Sequence, residues 1–258
     1  MKNPVFSLSI LALLTSSCGH SYYTPNLQNV PLFRQAGDNM LVVSSGSCVD
    51  DGSTMLDIQG AYALTNLVAV TGGYFSSKQE GNNNPESDFS NGSMYEIGAG
   101  IYKPLSKIGS FDLFGGFANG KQNHIYDTYS YGDYGMDEST LETGAATLRY
   151  NRFFVRSSIG LTTRVVDFAV STRFTKMNYY DVNAYINGQG NENNTLSSLS
   201  GLSCWWFEPA LTLRLGYSPV KLQLQVAFSE PLQEFNPEAS SITVNLGLVF
   251  IIPQAKDP

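Results

Sequence analysis

Charge is what this sequence has least of. Asp, Glu, Lys and Arg make up 14% of its 258 residues, with 15 bases against 22 acids. A net charge of −7 and so few bases exclude a nucleic-acid surface, which needs clustered Lys and Arg. Cysteine (3), tryptophan (2) and histidine (2) are rarer still, so neither a disulfide framework nor a histidine-rich metal centre is to be expected. Beyond the N-terminus no run of 18 apolar residues occurs, which leaves no transmembrane helix there. There is no GxxxxGK[ST] loop, no CxxC pair and no EF-hand spacing, so no cofactor and no metal are expected. Repeats of 20 to 50 residues and capped amphipathic helices are missing as well.

What remains is alternation. In YSPVKLQLQVAFSEP (217–231), Val220, Leu222, Leu224, Val226 and Phe228 face away from Lys221, Gln223, Gln225, Ala227 and Ser229. A strand of this kind buries one face and wets the other. Ten such segments are predicted, at 39–48, 54–64, 67–78, 93–103, 109–123, 144–162, 165–180, 204–217, 220–230 and 241–252. At 10 to 13 residues or longer, they suit tilted membrane strands better than the usual five or six.

The connections carry the topology. Thr65-Asn66, Leu105-Ser106-Lys107, Thr163-Arg164 and Ser218-Pro219 are tight. The stretches 49–53, 79–92, 124–143, 181–203 and 231–240 are longer and polar. Tight and long alternate without exception. An up-and-down meander then gathers all tight turns at one end and all long loops at the other, as in an outer-membrane barrel with short periplasmic turns.

Composition decides which face is inside. The apolar faces are Leu, Val, Ile and Phe. The opposite faces are small or polar, with isolated charges at Asp57, Glu96, Arg156, Asp167, Arg173, Glu208, Arg214 and Lys221. A soluble surface carries about a quarter or more charged residues. These faces fit a crowded lumen in which charges pair, because an unpaired buried charge is very costly. Tyr62, Tyr74, Tyr95, Tyr102, Trp205, Phe207, Tyr217 and Phe228 lie toward strand ends and are expected to form interfacial girdles.

The N-terminus reads as a targeting segment, with Lys2, an apolar core from Val5 to Leu14 and small residues before a cysteine. Leu14-Thr15-Ser16-Ser17-Cys18 resembles a bacterial lipobox, although Thr15 stands where that pattern usually has Leu. A signal peptide over 1–17 and an acyl chain such as palmitate on Cys18 are the expectation. Residues 18–37 then form a periplasmic lead-in, 38–252 the barrel and 253–258 a tail. Cys48 and Cys204 are the candidates for a disulfide, although two unbridged thiols suit so sparse a pattern better.

Three stretches carry a family likeness: Cys18 followed by Tyr22-Tyr23-Thr24-Pro25-Asn26, then Asn29-Val30-Pro31-Leu32-Phe33, then QGAYALTNLVAVTGGYF (59–75). With them the chain resembles the small outer-membrane β-barrel lipoproteins of Bacteroidota-type bacteria, whose function is uncharacterised. In such bacteria an acidic run after the acylated cysteine directs lipoproteins outward. GHSYYTPN has no acid, so the resemblance implies an anchor on the periplasmic side.

Candidates for chemistry are thin. His124 could act with Asp127 and Ser130 at the start of a long loop, but a solvated loop histidine is the plainer reading. Asp50 and Asp51, or Asp133, Asp137 and Glu138, could offer oxygen ligands to calcium, although acidic loops are usually just solvated.

The expectation is an all-β, antiparallel, up-and-down transmembrane barrel of ten strands, with eight as runner-up. Its loops are extracellular and its lumen is closed by paired charges. The expected role is non-enzymatic: structural, accessory, or interaction at the surface. Its partners would be outer-membrane lipid and a larger outer-membrane complex, for which the lead-in could serve as a docking strap. A narrow solute channel, an outer-membrane hydrolase and a soluble lipocalin-like binder are the alternatives.

Overall fold

The computed structural model describes residues 22–80, 89–130, 140–186, 198–233 and 241–251. Alternation yields strands throughout: β1 (Asn39–Cys48), β2 (Thr54–Ala63), β3 (Val68–Glu80), β4 (Phe89–Pro104), β5 (Gly109–Ser130), β6 (Thr140–Thr162), β7 (Val166–Ile186), β8 (Ser203–Tyr217), β9 (Val220–Phe228), the two-residue β10 (Glu230–Pro231) and β11 (Ile242–Phe250). Each long strand pairs antiparallel with the next. β11 lies between β9 and β1, so the sheet closes on itself. Ten long strands form one barrel, and the eight-stranded alternative is discarded.

The apolar face is outside. On β9, Leu222 and Leu224 are exposed while Lys221, Gln223 and Gln225 are buried. A lipocalin-like binder would show the reverse, so that alternative falls too. On the outer wall, aromatic pairs mark one level near the loop end: Tyr74 with Tyr95, Phe117 with Phe153, and Phe174 with Phe207, their ring centres 5.0 to 5.1 Å apart. Below them the wall is apolar down to Leu161 and Tyr217. From Phe153 to Leu161, β6 rises ~27 Å along its own axis. With the usual tilt that is about 20 Å of height, near the apolar band of a membrane barrel.

Two expectations change at this level. Tyr102 is not in a girdle. It shares the inward parity of Glu96 on β4, is buried, and donates its hydroxyl to the Thr65 carbonyl at 2.6 Å. The connections 79–92, 124–143 and 181–203 are also less loop than expected. β5, β6 and β7 reach 22, 23 and 21 residues and continue past the aromatic level. There Asn119, Lys121 and Arg149 replace the apolar outer residues, and one extra residue on β7 bulges the ladder opposite Arg149/Tyr150.

The largest correction concerns the lead-in. Its described part does not hang below the barrel as a docking strap. Every residue from Tyr22 to Phe33 is buried, and the segment runs through the lumen. It begins in an apolar cluster with Cys48, Met55, Phe75 and Leu199 beside the long loops. It ends where Phe33 meets Tyr102 edge-on among Ala63 and Ala69 at the tight-turn end. Extended, twelve residues cover up to about 40 Å, enough to cross the membrane band. Leu32 bends the chain out with φ 56, its side chain held against Val30 and Ala169. Asp38 then accepts from the Arg34 and Gln35 amides, and Gly37, at φ 80, leads into β1. The physical reason is that a ten-stranded lumen lined with charges and amides must be filled by partners. Asn26, Gln28, Asn29 and the peptide groups around them supply those partners.

Candidate functional site

The site is the lumen. Its inward positions carry five acids, Asp57, Glu96, Asp112, Asp167 and Glu208, and five bases, Arg152, Arg156, Arg173, Arg214 and Lys221, all buried. The two signs are equal in number. Arg152 pairs with Glu96, Arg173 Nε with Glu208 Oε2 at 2.6 Å, and Lys221 Nζ with Asp167 Oδ1 at 2.6 Å. The structure thus brings together the eight charges singled out above and adds Arg152 and Asp112. Both were legible by parity. Arg152 stands four places before Arg156 on the same face of β6, and Asp112 two before the inward Phe114 on β5.

Many of the remaining bonds of these side chains go to the strap. The Tyr23 hydroxyl donates to Glu208 Oε1 at 2.7 Å and accepts from Arg152 Nη1 at 3.0 Å. Asn26 Oδ1 accepts from Arg152 Nη2 at 2.9 Å and Arg173 Nη1 at 2.8 Å. The Leu27 amide donates to Asp57 Oδ2 at 2.7 Å, and Gln59 Nε2 returns a bond to the Leu27 carbonyl at 2.6 Å. Gln28 and Gln225 exchange two bonds, at 2.7 and 3.0 Å. Arg214 Nη2 reaches the Val30 carbonyl at 2.6 Å while its Nε holds Gln223. Asp112 accepts from Ser158 at 2.6 Å, and Arg156 lies over the Phe114 ring, 4.9 Å from its centre. Charge-assisted bonds of this kind are short and strong, and together with the neutral Gln28–Gln225 pair they fix one segment against β2, β6, β7, β8 and β9.

The other candidates lie elsewhere. His124 is not a solvated loop residue: it is buried on β5, its ring 5.2 Å from that of Tyr22. Asp127 and Ser130 belong to β5, but their side chains are outside the described residues. Asp50 accepts from the Ser241 amide and hydroxyl, and Asp51 from the Ser53 amide, so both fasten turns. Asp133, Asp137, Glu138 and Cys18 are outside the described residues. Among the described residues no three His, Cys, Asp or Glu side chains are grouped to hold a metal. Cys48 and Cys204 are both buried, and no disulfide joins them.

Comparison with solved structures decides the class. The outer membrane protease OmpT from Escherichia coli aligns with a TM-score of 0.51 and 8% identity, over 88% of this chain and 99% of that one. The fold is that of an outer-membrane β-barrel. An outer membrane channel from Pseudomonas putida F1 (TM-score 0.41, 10% identity, 88% and 100% covered) and LpxR from Salmonella typhimurium (0.39, 10%, 83% and 100%) are more distant. No protein-family profile and no curated protein matches the sequence. The comparisons therefore reach the outer-membrane barrel and not the narrower lipoprotein family. They also correct one expectation. A protease stands on this architecture, so the barrel gives no ground for holding the chain non-enzymatic.

Proposed function

We propose that this protein is an outer-membrane barrel held shut by its own N-terminal segment, with a structural or surface-interaction role exerted through the β5–β7 extension. One observation carries the reading. Tyr22 to Phe33 lies in the lumen and is bonded to inward side chains of five strands. A ten-stranded barrel encloses little more room than an eight-stranded one, whose interior side chains alone can fill. With a peptide segment added, no continuous aqueous path is expected. The polar outer faces of β5, β6 and β7 beyond the aromatic level offer the surface for contact outside the membrane.

Conductance in planar bilayers tests the closed barrel. The intact chain should be electrically silent, and a variant lacking residues 22–33 should conduct. Because that deletion could fail to fold, the double variant Tyr23→Ala/Asn26→Ala gives a second reading, with intermittent openings expected as the segment loosens. Steady conductance from the intact chain would establish the narrow channel instead.

A further inference from the structure

The direction of the strap fixes where the chain ahead of it must go. Tyr22 sits at the loop end: its carbonyl accepts from the Tyr179 hydroxyl at 2.9 Å and its ring packs on His124. From there the segment descends. Asn26 is held by Arg152 and Arg173, and Val30 by Arg214. Arg34 at last donates from Nη2 to the Ser106 carbonyl, at 3.0 Å, in a tight turn. The described segment therefore starts, at Tyr22, at the end of the barrel where the long loops lie.

Reach then excludes the other side. Cys18 precedes Tyr22 by four residues, at most ~14 Å of extended chain. The apolar band of a membrane barrel is about 25 Å tall, so no path around the outer wall brings residue 18 to the tight-turn end. A path back down the lumen would have to displace the strap from its buried charged partners, leaving Glu208, Arg173 and Asp57 with bonds unmade.

We infer that the chain ahead of Tyr22 leaves the barrel among the long loops, and that a lipid carried by Cys18 enters the outer leaflet. This rests on the reading of the long loops as extracellular and of Cys18 as acylated. It reverses the periplasmic anchor that the missing acidic run implied. The segment becomes a tether threaded through the barrel, with its lipid outside and its strand inside the cell envelope.

Single substitutions in the full chain test this on intact cells, with a polymer-bearing maleimide too large to cross the outer membrane. His20→Cys reports the N-terminal exit, Asn193→Cys the long loops and Lys107→Cys a tight turn. Wild type, in which Cys48 and Cys204 are buried and a lipid would block Cys18, is the blank, and each variant is read as the signal above it. His20→Cys and Asn193→Cys should react on intact cells and Lys107→Cys only after permeabilisation. If Asn193→Cys reacts on intact cells but His20→Cys needs permeabilisation, the inferred exit is wrong. If Lys107→Cys is the one that reacts on intact cells, the orientation beneath the inference is wrong and the inference falls with it. Metabolic labelling with an alkynyl palmitate reads the lipid separately. Label in wild type that disappears in Cys18→Ala supports a lipid at that residue. Wild type that reacts with the maleimide at Cys18 has a bare thiol, which removes the lipid while confirming the exit.

Discussion

The Tyr23 hydroxyl donates to Glu208 at 2.7 Å, joining the lead-in to a carboxylate 185 positions further along the chain. The same oxygen accepts from Arg152. Replacing Tyr23 by Phe keeps the ring against Trp206 but leaves two buried charged groups each short of a partner. The expected cost is about 1–3 kcal/mol. It would appear as a lower urea midpoint for the purified protein in detergent, followed by the mobility difference between unboiled and boiled samples. An unchanged midpoint would mean that Tyr23 is not seated between Glu208 and Arg152.

Lys221 and Asp167 form an ion pair near the tight-turn end, and Lys221 also donates to the Thr163 carbonyl at 3.1 Å. Lys221→Met alone strands the Asp167 carboxylate, at a cost of about 3–5 kcal/mol. Adding Asp167→Asn should recover a large part of that loss, since neither member of the pair is then left charged without the other. Equal losses in the single and double variants, measured by equilibrium unfolding in lipid vesicles, would sink the pairing.

Gly160 on β6 is a point where the wall meets the strap closely. A Cβ there would stand 2.6 Å from Leu32 Cδ2, 2.8 Å from Ala169 Cβ and 2.8 Å from the Phe168 carbonyl. Gly160→Val should destabilise the barrel by about 1–3 kcal/mol through overpacking. Leu32→Ala in the same chain should relieve only part of this, because the backbone contact persists. Thermal unfolding followed by circular dichroism reads both variants. No relief from Leu32→Ala, or no effect of valine at all, would argue that Leu32 does not lie against Gly160.

On the outer wall, Leu224 stands at the middle of β9, opposite Leu213 and Leu246. Arginine there would face hydrocarbon and cost about 2–4 kcal/mol near the midplane. Gln223→Leu, one residue away, changes no lipid contact and instead removes the acceptor of Arg214 Nε. Refolding into vesicles separates the two. Leu224→Arg should weaken insertion steeply with bilayer thickness, whereas the loss in Gln223→Leu should be indifferent to thickness. The opposite pattern would place the polar face against lipid.

The barrel was legible because period-2 alternation is a local signal repeated ten times. Leu222 against Gln223, or Leu213 against Arg214, states the inward face without any knowledge of the partner strand. The same parity applied to Tyr102 and Arg152 would have placed both inside. The strand extensions were less legible because the pattern changes sense there: Asn119, Lys121 and Arg149 make the outer face polar, while Leu148, Tyr150 and Met177 make the inner face apolar. The strap was not legible at all. Pro25 and Pro31 suppress any period in 19–37, and Asn26, Gln28 and Asn29 read locally as loop. Their meaning lies in charges more than 100 residues distant, such as Arg152 and Arg173 for Asn26.

The threaded segment also imposes an order of events on assembly. Gln28 meets Gln225 across 197 positions, and the seam between β1 and β11 is the last that the chain can close. Once the ring is complete, a segment tied at Asp38 on one side and continuing past Tyr22 on the other cannot be slipped in from either mouth without first dragging its whole leader through. Laying the segment across the open sheet before the β1–β11 seam forms is the route that avoids such threading. The barrel is wrapped around its own lead-in: the ring that β11 closes confines a segment that precedes β1.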